Sequence, residues 1–140
     1  MGKDSVTYDE IEVGAKASFS KTISESDVYQ FAGITGDFNE LHVNQVAAES
    51  SLFKSRVVHG CLADSLVSTV LGMKYPGKGT IFLEKSVSYV KPVYIGDTIT
   101  CEITVAEKRE KGRVLFNASY YNQDGVEVIK GTALVLAPRG

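Results

Sequence analysis

The stretch HGCLADSLVSTVLGMKY, residues 59–75, is the most apolar segment of the chain. Helical spacing puts its apolar side chains on one stripe and on a second row beside it; these are Leu62, Leu66, Val70 and Met73, then Ala63, Val67 and Leu71. An apolar band this wide predicts a helix that is buried nearly all round. Asp64, Ser65 and Ser68 fall within the band, and buried polar groups need partners, so we expect some of them to face a cavity or an interface.

The residues after this helix switch to a period of two, which is typical of strands. Residues 81–89 and 99–105 alternate apolar and polar side chains, and two further apolar stretches, 114–121 and 126–136, are joined by a turn that contains Asp124 and Gly125. The pattern predicts an antiparallel meander. Because residues 59–75 form the only segment apolar enough to cover it, the predicted class is α+β, a sheet wrapped around a long central helix.

The residues before the central helix predict mostly helical structure. Residues 17–23 alternate weakly, as a first strand does, and Ser24 to Asp27 then carry helix-start chemistry with Gly36 as a candidate stop. A loop, GDFNELHVN at residues 36–44, and a short helix at residues 45–50 follow. With no repeat or linker, we expect one domain over residues 1–140.

The composition narrows the possible functions. Apolar residues make up 44% and charged residues 23% of the 140, with a net charge of −2, as in a globular chain. The fifteen Lys and Arg are scattered and outnumbered by acids, so we expect no nucleic-acid partner. No apolar run reaches signal-peptide length or the roughly 18 residues of a spanning helix, so we expect a cytoplasmic protein that does not bind membranes.

The two cysteines, Cys61 and Cys101, are too few for a disulfide framework. Cys61 lies near the predicted start of the central helix, where a thiol pKa can fall, so it is a candidate nucleophile. The alternative, which we prefer, is that Cys61 is a small buried hydrophobic residue.

Both histidines lie in turn-like sequence outside the predicted strands, His42 in GDFNELHVN and His59 in RVVHGC. Histidine titrates near neutrality and suits proton transfer, although a lone loop histidine is more often structural. Asp37 precedes His42 in the same loop, and the two side chains could turn toward one water. Spacing alone leaves Asp37 equally well explained by an Asx-turn or a helix cap.

Other chemistries find little support. His42, His59, Cys61 and Asp37 lack a recognised metal-ligand spacing, so we expect no metal. The chain has no GxSxG turn, phosphate-binding loop or dinucleotide fingerprint, so we expect no cofactor.

The motifs GDFNELH, VVHG before an apolar helix, PGKGT before a strand and VYIGD before the next together resemble the MaoC-like, (R)-specific enoyl-CoA hydratases of the hotdog fold. The resemblance runs from about Val6 to Pro138. The family usually has Pro before the Leu-His pair, where this chain has Glu40. This difference bears on how rigid the loop is and not on the identity of Asp37 and His42.

The resemblance implies reversible addition of water to a trans-2-enoyl-CoA, the activity that feeds 3-hydroxyacyl-CoA to polyester synthesis. It implies that Asp37 and His42 both bind the catalytic water. As a hypothesis, His42 takes a proton from that water and Asp37 supplies one to the α-carbon, although the sequence leaves open which of the two is the base and which the acid. It further implies that Asn39 holds the loop and that the Gly60 amide binds the thioester carbonyl, and it assigns the acyl pocket to Ser68, Leu71 and Leu134. A homodimer or larger assembly and short acyl chains of about four to six carbons are also expected.

Two rivals remain open. A hotdog thioesterase would use a carboxylate to activate attack on the thioester carbonyl, and Asp64 is the candidate. Its alternative role is a hydrogen-bonded polar residue at a subunit interface. A non-catalytic acyl-binding module would keep the fold without the chemistry.

Overall fold

The computed structural model describes residues 4–139 and contains one five-stranded antiparallel sheet. The strands are β1 (Lys16–Thr22), β2 (Ile81–Tyr89), β3 (Thr98–Lys108), β4 (Arg113–Tyr121) and β5 (Glu127–Leu136), in the spatial order β1-β3-β4-β5-β2. The helices are α1 (Glu25–Thr35), α2 (Glu40–Val43), α3 (Gln45–Glu49), α4 (Gly60–Asp64) and α5 (Leu66–Thr69), with a 3-10 turn at Tyr8–Glu10 and a π-helical turn at Val70–Lys74. Among the described residues, no helix is long and apolar enough to cross a membrane.

Local sequence signals account for several element boundaries. The Ser24 hydroxyl accepts from the Asp27 amide at the start of α1, and Gly36 ends the helix in the left-handed region with φ of 82°. The apolar positions of β3 are all buried, as their alternation predicts; they are Ile99, Cys101, Ile103 and Val105. Gly125, with φ of 74°, makes the turn between β4 and β5. The predicted helix, alternation and turn are therefore confirmed.

The place of β2 in the sheet differs from the prediction. Strands β3, β4 and β5 form the expected meander, but β2 pairs with β5 at the far edge instead of with β3. Residues 90–97, which connect β2 to β3, are longer than a hairpin loop and include Pro92. Their Val93 carbonyl accepts from the Val58 amide at 2.7 Å, so the connection packs beside the start of the central helix.

The central helix packs against the sheet with one of its faces and exposes the other. Its buried face includes Ala63, Leu66, Val67 and Val70, which belong to the same core cluster as β3 and β4. The opposite face is exposed at Cys61, Ser65 and Ser68, which follow one another at helical spacing. The prediction of a helix buried nearly all round is therefore wrong for the single chain.

The end of the helix departs from ideal geometry. The Tyr75 amide donates to the Val70 carbonyl, five residues back, at 2.9 Å, so the last turn is wider than an α-helical turn. Leu71 stays buried as expected, but the chain beyond it no longer follows the predicted stripe. Met73, predicted to lie in the apolar stripe, is 68% exposed.

Candidate active site

A helix end and a side-chain cap hold the loop that carries Asp37. Gly36 ends α1, and Asn39 caps α2 by accepting the Leu41 amide on Oδ1 at 3.0 Å. The Asp37 Oδ1 atom accepts the Asn39 amide at 3.2 Å. The Asx-type contact proposed as an alternative for Asp37 is thus present, but it occupies only one carboxylate oxygen. The second oxygen, Oδ2, faces His42.

The hydrogen bond at Nδ1 of His42 determines which ring nitrogen can act as a base. Nδ1 lies 2.7 Å from the Val57 carbonyl oxygen. Because a carbonyl only accepts, Nδ1 carries the hydrogen in the neutral ring, and Nε2 keeps its lone pair. Nε2 lies 4.0 Å from Asp37 Oδ2. One water with hydrogen bonds of about 2.8 Å to both atoms spans about 4 to 4.6 Å, so the separation suits a shared water.

His59 completes the cluster from the other side. Its side chain is 2% exposed, and its ring stacks on His42 with centroids 3.8 Å apart. Nε2 of His59 lies 3.0 Å from the Asp37 carbonyl oxygen and donates to it. Sequence reasoning named His59 as a possible proton-transfer residue but did not place it against both Asp37 and His42.

Three potential metal ligands meet in this cluster, although their spacing in the sequence predicts no metal site. Ligand atoms of Asp37, His42 and His59 lie within 4.8 Å of one another, because the loop and the start of the helix converge. A zinc ion with bonds of about 2.0 to 2.2 Å would hold its donors about 3.4 Å apart. The 4.0 Å between Asp37 Oδ2 and His42 Nε2 is wider than this, so these two donors fit a bound water better than a tetrahedral zinc ion.

An apolar cavity of about 360 Å³ lies beside the cluster. His42 and Gly60 both line it, so the candidate base and the first residue of α4 border the same space. The rest of the wall is mostly apolar or aromatic; it comprises Leu41, Phe53, Val57, Val58, Cys61, Tyr89, Lys91, Pro92, Val93 and Ile129. Such a cavity can hold an apolar group next to a polar reaction centre.

Comparison with known proteins settles the family. Residues 8–125 match the MaoC like domain. The chain belongs to the MaoC-like family. It is 40% identical over 131 residues to an (R)-specific enoyl-CoA hydratase of Rhodospirillum rubrum, covering 94% of this chain and 91% of that protein. It is 39% identical over 129 residues to an (R)-specific enoyl-CoA hydratase of Aeromonas caviae, covering 91% and 96%.

A solved structure gives the same result for the fold. The unliganded R-hydratase from Pseudomonas aeruginosa superposes with a TM-score of 0.93 at 37% identity, covering 97% of this chain and 88% of that one. The α+β hotdog fold predicted from the sequence is confirmed.

In this MaoC-like chain Asp64 is not free to activate water. It is 1% exposed, and its Oδ1 and Oδ2 accept from Lys85 Nζ and Tyr89 Oη, each at 2.5 Å. Burial and the Asp64 carboxylate raise the pKa of Tyr89 above its ordinary value, so the phenol stays a donor. The Tyr120 hydroxyl also donates to the Asp64 carbonyl at 2.7 Å. These contacts favour the hydrogen-bonded role for Asp64 over that of a thioesterase carboxylate.

Gly60 lies directly under the Tyr89 ring. A Cβ atom at position 60 would come within 2.6 Å of Tyr89 Cε1, closer than carbon atoms pack. Gly60 is also the first residue of α4, so its N–H has no partner within the helix. Sequence analysis named Gly60 as a candidate but did not predict that the Tyr89 ring excludes a side chain from this position.

The residues that the resemblance assigns to the acyl pocket do not line the cavity. Ser68 is exposed on the helix, Leu71 is 1% exposed within the core, and Leu134 is buried on β5. Their role in binding the acyl chain stays a prediction. Cys61 does line the cavity and is exposed, so its interpretation as a small buried residue is wrong, whereas Cys101 is buried.

Proposed function

We propose that this chain is an (R)-specific enoyl-CoA hydratase that adds water reversibly to a trans-2-enoyl-CoA. The observation that carries the proposal is the 4.0 Å gap between Asp37 Oδ2 and His42 Nε2, beside the apolar cavity. Family membership and two relatives that are (R)-specific enoyl-CoA hydratases support the same activity. No cofactor is required for this chemistry, because water is both nucleophile and proton source.

His42 is the base of the proposed mechanism. Its Nε2 accepts a proton from water as the oxygen attacks the β-carbon of the enoyl group. The Val57 carbonyl accepts from Nδ1 and stabilises the positive ring that results. Asp37 orients the same water through Oδ2. The pair then returns one proton to the α-carbon on the same face, so its protonation is unchanged after each turnover.

The Gly60 amide is the proposed donor to the thioester oxygen. Attack at the β-carbon moves negative charge onto that oxygen, and a preorganised N–H group stabilises the charge as it develops. Gly60 lines the cavity together with His42, so one bound thioester can meet both groups. Asn39 supports the site by capping α2 and by donating its amide to Asp37.

The acyl group is expected to be short. The cavity volume of about 360 Å³ is near the small end of the usual range for ligand sites, and Phe53 and Ile129 are among its walls. We therefore keep the prediction of about four to six carbons. We also keep the proposal that the product can supply cytoplasmic polyester synthesis.

A homodimer is proposed as the working form. Strand β2 is exposed along both faces at the outer edge of the sheet, with large apolar side chains at Ile81, Leu83 and Tyr89. Cys61, on the exposed helix face, lies beside this strand, with its Sγ 3.9 Å from Tyr89 Oη. An unpaired apolar edge favours pairing with a second copy. Light scattering at micromolar concentration should give twice the monomer mass or a multiple of it, and a monomer would contradict the proposal.

Crotonyl-CoA tests the activity directly. The purified protein should remove the enoyl absorbance without releasing free thiol, and chiral analysis should identify (R)-3-hydroxybutyryl-CoA as the product. Release of CoA at the rate of absorbance loss would point to a thioesterase instead. Tight binding of crotonyl-CoA with neither change would indicate a non-catalytic acyl-binding module.

A further inference from the structure

His59 connects the loop of Asp37 to the start of α4 at Gly60. It is the residue immediately before Gly60, which begins α4 and lines the cavity. At the same time its Nε2–H donates to the Asp37 carbonyl at 3.0 Å. A shift of the His59 side chain would therefore move the Asp37 backbone relative to the start of α4.

The ring of His59 also sets the position of the base. It stacks on His42 with an interplanar angle of 27°, and it contacts the Phe31 ring at 4.9 Å between centroids. With Nδ1 of His42 bonded to Val57, the stack leaves His42 little freedom to tilt. The same buried ring thus touches both members of the acid-base pair.

The unpaired nitrogen of His59 argues for a role beyond stability. Nδ1 is buried and has no hydrogen-bond partner among residues 4–139. An unpaired buried acceptor destabilises a fold, so a purely structural position would favour a residue without one. Nε2 already has its partner in the Asp37 carbonyl, so only Nδ1 is left without one.

We infer that His59 is a positioning residue, which holds Asp37 and His42 at the separation that one water can bridge. This inference rests on the proposed hydratase function and adds a third residue to it. His59 contacts the catalytic pair and does not itself exchange a proton with the substrate.

Two substitutions separate the hydrogen bond from the stacking. His59→Gln keeps an N–H donor at about the reach of Nε2, whereas His59→Phe keeps a ring and removes the donor. Tyr120→Phe is the matched control, because it also removes one buried hydrogen bond from a side chain to a backbone carbonyl, at Asp64. If His59→Phe does not fold, His59→Asn replaces it, since its shorter amide cannot reach the Asp37 carbonyl.

The steady-state constants for crotonyl-CoA and the melting temperature are measured for every variant. We expect His59→Phe to lower kcat about 10- to 100-fold with KM changed by less than about twofold, because small misplacements of catalytic groups are costly. His59→Gln should recover most of that loss, and Tyr120→Phe should keep wild-type kcat while melting at a lower temperature.

Three results would overturn the inference. The first is wild-type kcat in His59→Phe, and the second is a folded His59→Gln no better than His59→Phe. The third is an equal loss of kcat in Tyr120→Phe, which would mean that any buried hydrogen bond matters. A wild-type protein that fails to hydrate crotonyl-CoA would refute the proposed function as well, so the two failures are distinguishable.

Discussion

Replacement of Gly60 by alanine tests how the start of the central helix is packed. The backbone at Gly60 is outside the left-handed region, so alanine brings no backbone strain. Its Cβ would lie 2.6 Å from Tyr89 Cε1 and 3.0 Å from Cδ1 and Cζ. Ordinary carbon contacts are about 3.5 to 4.0 Å, so the ring must move by about 1 Å. That movement strains the 2.5 Å hydrogen bond from Tyr89 to Asp64.

We expect Gly60→Ala to lower the free energy of unfolding by about 1 to 3 kcal/mol, the usual range for overpacking. Thermal and urea unfolding would measure it. The matched background is Tyr89→Ala, which removes the ring: there Gly60→Ala should cost less than about 0.5 kcal/mol, so the pair shows strong coupling in a double-mutant cycle. An equal cost in both backgrounds would refute the explanation by steric contact with Tyr89.

Three further outcomes are expected. Phe53→Ala should enlarge the cavity and raise kcat/KM for an eight-carbon enoyl-CoA relative to crotonyl-CoA by about tenfold or more. If Ser68→Val alters this preference for acyl-chain length and Phe53→Ala does not, the acyl chain binds along the helix instead. Dialysis against EDTA should leave hydration unchanged, and a loss restored by zinc would assign Asp37, His42 and His59 to a metal. Hydrogen bonds from Arg56 and then Tyr29 lower the pKa of Glu25. The contribution of the Glu25 carboxylate to stability is therefore present above the ordinary carboxyl range and is lost as pH falls through the lowered pKa. The melting temperatures of wild type and Glu25→Gln should converge in acid.

Local signals in the sequence predicted the elements well. The hydroxyl of Ser24, the left-handed Gly36 and the alternation of β3 each act within a few residues, so the chain itself determines them. The place of β2 could not be read in the same way. Its pairing with β5 depends on the path of residues 90–97 around the start of the central helix, which is a tertiary effect.

In the candidate site, too, the residues within one motif were predicted and the contacts between distant segments were not. Asp37 and His42 lie five residues apart in the GDFNELH motif, and that motif was enough to propose them. The structure places Asp37 in the loop and His42 on α2, which follows it. The stacking of His59 on His42 and the Tyr89 ring over Gly60 join segments that are distant in sequence. The spacing of apolar residues in the sequence does not reveal such contacts. The exposure of Met73 arises from a π-helical turn that the regular apolar spacing does not reveal.

The proposed acid-base pair is tested most directly by the hydration of crotonyl-CoA in Asp37→Asn, His42→Gln and the double variant. If the two side chains act on one water, each single substitution should lower kcat by about 10² to 10⁴-fold. The double variant should be scarcely slower than the worse single one, because groups that act as a unit are not additive. Folded single variants with near wild-type kcat, or losses that multiply in the double variant, would contradict the account.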